Sequence, residues 1–262
     1  MRNLMPSITR VFLFLIGGTI SFNAIAQTQI NSSTFGMMEA RLLGPGTMSG
    51  RISAIEGVSD GKTIYVGTAG GGIWKTTNAG ASFTPIFDKY CQSIGALAID
   101  PKNSKIIYAG TGESNMRNSV SIGNGIYKST DGGDNWTKLG LESTEHIAKI
   151  VINPTNTNIV FVAAPGPLWS SSKDRGLYKS IDGGKTFEKI LYINEDAGCA
   201  DVSLDPQHPD TIYASTWEFR RKPFAFNSGG NGRGMWKSTD GGKNWIELKT
   251  GLPPKPFGRI AF

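Results

Sequence analysis

Four stretches of this 262-residue chain repeat one another, and no other feature narrows its fold as much. They are Gly72-Ile73-Trp74-Lys75-Thr76-Thr77-Asn78, Gly125-Ile126-Tyr127-Lys128-Ser129-Thr130-Asp131, Gly176-Leu177-Tyr178-Lys179-Ser180-Ile181-Asp182 and Gly234-Met235-Trp236-Lys237-Ser238-Thr239-Asp240. Each runs into a Gly-containing turn and reaches an aromatic five residues beyond the Asn or Asp: Phe83, Trp136, Phe187 and Trp245. The Asn/Asp positions stand 53, 51 and 58 residues apart, a period that marks a chain built from stacked supersecondary units. Each unit holds four short extended pieces; in the second they cover about 94–100, 106–110, 125–130 and 136–139. Asx-Pro pairs separate the first two pieces: Asp100-Pro101, Asn153-Pro154 and Asp205-Pro206. Proline presets φ for such a turn, and the Asx side chain caps its backbone. Helical periodicity of useful length is absent. The expected fold is therefore all-β, a β-propeller of four-stranded antiparallel blades over about 50–88, 91–140, 146–191 and 199–250. Gly258-Arg259-Ile260-Ala261-Phe262 matches Gly50-Arg51-Ile52-Ser53-Ala54 and predicts the opening strand of a fifth blade from 258. Four blades plus an orphan strand leave unpaired edges, so the chain reads as part of a longer propeller.

The Ser/Thr-x-Asp-x-Gly-x-x-Trp/Phe stretch falls on the hairpin joining the third and fourth strands. Gly133, Gly184 and Gly242 supply a turn with φ > 0. Asp131, Asp182 and Asp240 are placed to accept from turn amides, and the aromatic, Trp136, Phe187 or Trp245, is placed to bury its ring. Asp131-Gly132-Gly133-Asp134-Asn135 looks superficially like a calcium loop. Lys185 and Lys243 stand where it has Asp134, so a repeated calcium site fails. Neither a metal nor a cofactor is expected.

On these residues, Ser129 to Trp136 and Ser238 to Trp245 above all, the chain resembles the Asp-box (BNR-repeat) propellers. Within them it looks most like the sortilin/VPS10-like and xyloglucanase-like group of secreted bacterial proteins. The resemblance covers about 44–262 and implies the propeller fold. It leaves function open, because the Asp-box serves the turn and its bearers do different things. In xyloglucanase-like enzymes a catalytic Asp sits early in a Thr-Asp-x-Gly-Gly stretch after the second strand. The matching stretch here is Thr68-Ala69-Gly70-Gly71-Gly72, with Ala69 in that place.

The first 26 residues read as a cleavable signal peptide: Arg2 and Arg10, the apolar run 11–16, then Ala24-Ile25-Ala26 before Gln27. Residues 27–43 form a lead-in. The expected location is secreted, periplasmic or at the cell surface, with no membrane span in the mature chain. A net charge of +6, without a basic run or stripe, argues against nucleic acid. Cys91 and Cys199 open inner strands of non-adjacent units, which favours buried thiols over a disulfide. His146 and His208 are too isolated to be a ligand set.

Chemistry is expected on the face where second and third strands are joined, since three of those loops are long: 113–124, 165–175 and 218–233. They carry the ligand-binding candidates Arg117, Trp169, Arg175, Trp217, Arg220 and Arg221, with Phe219, Phe224 and Phe226. Aromatic faces stack on sugars and Arg forks grip carboxylates or hydroxyls; the same residues equally pack long loops onto the disc. Glu113 and Glu218 follow second strands and are the catalytic candidates for a glycosidase, which needs two facing carboxyls. Asp174, Glu195, Asp196 and Asp201 are reserves. The expected function is a platform binding polysaccharide or a secreted or cell-surface protein. The alternatives are a polysaccharide-degrading glycoside hydrolase and a structural module of a larger secreted protein.

Overall fold

The computed structural model describes residues 51–253 and 258–262; the expected signal peptide, the lead-in and residues 44–50 lie outside the described residues. The repeat units fold as four antiparallel sheets. The first contains β1 (Ile52–Gly57), β2 (Ile64–Thr68), β3 (Ile73–Thr76) and the two-residue β4 (Thr84–Pro85). The second contains β5 (Ile94–Asp100), β6 (Asn103–Thr111), β7 (Ile126–Ser129) and β8 (Thr137–Gly140). The third contains β9 (Lys149–Ile152), β10 (Val160–Ala164), β11 (Gly176–Ser180) and β12 (Glu188–Leu191). The fourth contains β13 (Ala197–Leu204), β14 (Ile212–Lys222), β15 (Ala225–Ser228), β16 (Gly234–Ser238) and β17 (Ile246–Leu248). Strands neighbour one another in chain order except that β14 pairs with both β15 and β16. The innermost strands β1, β5, β9 and β13 line one axial cavity of about 390 Å³, bounded by Glu56, Ala98, Lys149, Ile150, Val202 and Leu204. This is a β-propeller arrangement, with every blade walking outward from the axis.

Blade packing explains the composition of the strands. In β10, all five residues Val160, Phe161, Val162, Ala163 and Ala164 are buried. Such a strand reads as a continuous apolar run because other blades cover both faces. Close approach of one blade to the next requires a missing side chain: a Cβ at Gly110 would lie 2.4 Å from the Ile147 side chain.

The Asp-box turns repeat one hydrogen-bond scheme. Ser129 Oγ donates to Asp131 Oδ1 at 2.8 Å and accepts from Gly133 N–H at 2.8 Å. Asp131 Oδ1 and Oδ2 then accept from the Asn135 amide and side chain at 2.9 and 2.8 Å. These donors hold the Asp131 carboxyl at about 2, and the same arrangement holds Asp182 and Asp240 well below the usual range. Each carboxylate is thus committed to its own hairpin. Gly133, at φ +98°, also has no room for a Cβ, which would meet Ile86 of the preceding blade at 2.5 Å. Trp136 Nε1 bridges the junction, donating to Gly133 O at 3.0 Å and Ile86 O at 3.1 Å. Trp245 repeats this on Gly242 and Ile190, while Phe187 packs into the apolar cluster around Tyr108 and Tyr178 without a hydrogen bond to give.

A second junction device lies on the opposite flank of each blade. Tyr65 faces Lys75 across β2 and β3, and Oη and Nζ both donate to Gly132 O, in the next blade's Asp-box turn, at 3.1 and 2.8 Å. Tyr108 and Lys128 grip Gly183 O in the same way, each at 2.9 Å. In the third blade Phe161 replaces the tyrosine, and Lys179 alone holds Gly241 O at 2.7 Å. Burial pushes the Tyr108 hydroxyl up to about 12, so it remains a donor throughout the working pH range.

Candidate functional site

The long second-to-third connections gather on one face, as their positions in the repeat require. The stretch expected as a loop at 218–233 is only partly loop: β14 runs on to Lys222 and returns as β15, pairing Phe219 with Ser228 and Arg221 with Phe226. Phe219, Arg221, Phe226 and Ser228 share one face of this ribbon across a tight turn, a pattern masked in the sequence by the polar residues that alternate with them.

Several candidates turn inward beneath this face. Trp217 and Phe219 stack at 4.4 Å between ring centres and form a small core with Leu168 and Ala200, joined by Met116, Val120 and Phe226. Arg175 is fully buried, over the Phe219 ring at 4.6 Å, and its guanidinium donates to the carbonyls of Pro165, Pro167 and Ser170. It sews the 165–175 loop shut. Arg221 lies over Phe226. Arg117 is exposed, and Trp169 is half exposed. The sequence alone left open whether these aromatics stack on ligand or pack; Trp217 and Phe219 pack.

The two glutamates occupy different settings. Glu113 is fully buried and spans Arg51 with both oxygens, Nε to Oε1 at 2.7 Å and the second contact through NH2 and Oε2. This pair links the first blade to the second near the axis. Removing one partner strands the other, and Arg51 is more than a third exposed, so Glu113→Ala is expected to cost about 2 kcal/mol in urea unfolding. Glu113→Gln, which keeps one hydrogen bond, should cost less.

Glu218 is half buried, with Oε2 accepting from Gly232 N–H at 2.7 Å. It shares an open cleft of about 240 Å³ with Asp196, Arg220, Lys222 and Asn227. Arg220 reaches Asp196 and Ser171, and Ser171 Oγ donates to Asp196 Oδ1 at 2.8 Å. The serine hydroxyl and then the guanidinium hold the Asp196 carboxyl below its ordinary value, against some desolvation. Trp169 borders this group, its carbonyl accepting from Arg220 at 3.2 Å. Asp196, a reserve in the sequence, thereby joins Glu218, whereas Asp201 accepts from Val202 and Phe262 amides near the axis. Among the described residues no three His, Cys, Asp or Glu side chains are gathered to hold a metal. Cys91 and Cys199 are free thiols, and burial pushes the Cys199 thiol up.

His146, set aside in the sequence as too isolated to be a metal ligand, has a setting of its own in the structure. It lies just before β9, is fully buried, and neither ring nitrogen has a hydrogen-bond partner. Desolvation pushes it down to about 4, against a weaker upward pull from the Glu113 backbone outside hydrogen-bond geometry.

A family model described as Sortilin-Vps10 (sortilin, neurotensin receptor 3) matches residues 124–255. A xyloglucanase of Hypocrea jecorina (strain QM6a) is 27% identical over 221 residues, covering 74% of this chain and 25% of its own length. A probable oligoxyloglucan-reducing end-specific xyloglucanase of Neosartorya fischeri is 28% identical over 168 residues, 58% of this chain and 17% of its own. The crystal structure of an ancestral GH74 enzyme superposes with a TM-score of 0.61 at 22% identity, over 78% of this chain and 26% of that one. That of a Niastella koreensis GH74 enzyme gives 0.54 at 24%, over 71% and 27%. The chain thus spans at most about a quarter of the length of these relatives.

Proposed function

This chain belongs to the Sortilin-Vps10 family, and from that premise we propose that it is an exported propeller acting on polysaccharide, as a glycoside hydrolase of the xyloglucanase kind. The observation that carries this reading is the open cleft holding two carboxylates, Asp196 and Glu218, beside Arg220 and the half-exposed Trp169. Glycoside hydrolysis needs two carboxyls across the scissile bond, one to donate a proton and one kept ionised to meet developing positive charge or to activate water. Asp196, with Ser171 and Arg220 favouring its charged form, suits the ionised role. Glu218 then supplies the proton, and the Trp169 ring offers a sugar-stacking face. The low-identity similarity to xyloglucanases supports the substrate class. Export rests on the N-terminal residues Arg2 to Ala26; among the described residues no helix is long and apolar enough to cross a membrane.

A second reading, capture of polysaccharide without cleavage, is favoured by Ala69, buried where the resemblance to xyloglucanase-like enzymes expects an Asp. Reducing-end release from xyloglucan separates the two. Cleavage predicts release that falls about 100-fold or more in Glu218→Gln and in Asp196→Asn. Retention on a xyloglucan gel without release selects capture. Neither release nor retention overturns both readings.

A further inference from the structure

Asn-Gly stands twice in the chain, at Asn124-Gly125 and Asn231-Gly232, and the fold treats the two pairs differently. Asn124 is half-buried. Its backbone N–H donates to Thr111 Oγ at 2.8 Å, and its Oδ1 accepts from the Tyr127 hydroxyl at 3.1 Å. Asn231 is exposed, and among the described residues its side chain has no hydrogen-bond partner. Its neighbours are Gly230 and Gly232, so no flanking side chain restricts the carboxamide.

The Gly232 amide is held on a carboxylate. Its N–H donates to Glu218 Oε2 at 2.7 Å, while Thr216 Oγ donates to Gly232 O at 2.9 Å. The turn wraps the acceptor tightly: a Cβ at Gly230 would collide with the Glu218 carboxylate, and one at Gly232 with Ala197 and the Asn194 side chain. A base within hydrogen-bond reach of the nitrogen is what a backbone amide needs to become a nucleophile, because its proton is too weakly acidic to leave unaided. Asn231 Cγ is the electrophile carried beside that nitrogen, and a five-membered ring closes on it without a second molecule. Among the described residues no carboxylate accepts from the Gly125 N–H.

We propose that Asn231 is a site of self-modification, with Glu218 as the general base for cyclisation onto the Gly232 amide. Glu218 takes the Gly232 proton, the nitrogen bonds to Asn231 Cγ, and the Cγ–N bond of the carboxamide breaks. The departing nitrogen collects that proton and leaves as ammonia, so Glu218 ends in the state in which it began. Water then opens the cyclic imide at either carbonyl and leaves a carboxylate at position 231, on a normal or a lengthened backbone. Nothing is oxidised or reduced. The cleft that holds Asp196, Glu218, Arg220 and Lys222 thereby gains a negative charge on the turn that wraps Glu218.

Incubation of the protein at neutral pH, read by peptide mass spectrometry, tests this. Conversion of amide to acid is expected at Asn231 well ahead of Asn124, with both backbone products present. Glu218→Gln removes the base and should slow Asn231 about 100-fold, the low end for a positioned general base, while Asn124 keeps its native rate. Guanidinium supplies a comparison that needs no variant: unfolding should slow Asn231 and hasten Asn124, since the fold assists the one and shields the other. If Glu218→Gln unfolds, Asn124 speeds up and the guanidinium comparison alone decides. Asn231 converting as fast unfolded as folded overturns the proposal. So does a rate in Glu218→Gln equal to or above the native one while Asn124 is unchanged. Mass is read without polysaccharide, so neither outcome bears on whether the cleft hydrolyses one.

Discussion

Trp136→Ala should lower the stability of the propeller by about 3–5 kcal/mol, the usual cost of deleting a large buried aromatic that leaves a cavity. Two features place it in that range. The indole is 7% exposed and stands edge-on to Phe87, 5.1 Å between ring centres. Its N–H also satisfies Ile86 O of the first blade and Gly133 O of its own turn, so truncation leaves two carbonyls without that donor. The loss falls on a junction between blades and should therefore weaken their cooperation as well as the second blade. For a domain of this size the shift in Tm is about 10 °C. Trp245→Ala makes the matching deletion at the junction of the third and fourth blades, but its ring is only half-buried and should cost distinctly less. Urea unfolding of both variants, read at the same temperature, gives the comparison; equal losses would contradict the burial argument.

Acidification from pH 7 to pH 4 is expected to remove about 3 kcal/mol through His146 alone. Its folded pKa is about 4 and its unfolded pKa about 6.5, so burial favours the neutral ring. Above pH 6.5 neither state binds the proton and His146 contributes no pH dependence. As pH falls from 6.5 towards 4 the unfolded chain takes up the proton and the folded chain does not, so stability declines across that window and flattens below it. His146→Met fills the same site without a titrating group or two unpartnered nitrogens. The difference between native and variant curves isolates the histidine from the carboxylates that titrate nearby in pH, including Glu56 and Glu145, both raised by desolvation. Parallel curves for the two proteins would remove His146 from this role. On acidification the protein meets this limit before its Asp-box carboxylates, held ionised by their turn amides, begin to protonate.

Much of the fold was legible because the repeat encodes local interactions. Asp131, Asp182 and Asp240 bind amides within four residues of themselves, so spacing alone specifies the hairpin. The Asx-Pro turns are equally local: Asp100 accepts from Lys102 N–H, and Asn153 from Thr155 and Asn156. The junction lysines were visible too, one following the aromatic in every copy, but the carbonyls that Lys75 and Lys128 grip stand more than 50 residues further along the chain. Their acceptors are turn carbonyls of another blade, and a carbonyl leaves no mark in a sequence.

The candidate site divides along the same line. Repeat position predicted the face that carries the long connections, and put Glu113 and Glu218 at equivalent places in their blades. Whether each carboxylate meets water or a cation depends on residues far away: Arg51, 62 positions before Glu113, and the 229–232 turn folded over Glu218. The sequence by itself thus determined the four hairpins, their turns and the radial order of strands, since these rest on contacts between near neighbours. Tertiary structure alone decided that Glu113 faces an arginine, that Asp196 joins Glu218 in the cleft, and that His146 is buried without a partner. Those outcomes are set by how adjoining blades close on one another, and burial and charge pairing at such distances are properties of the assembled disc.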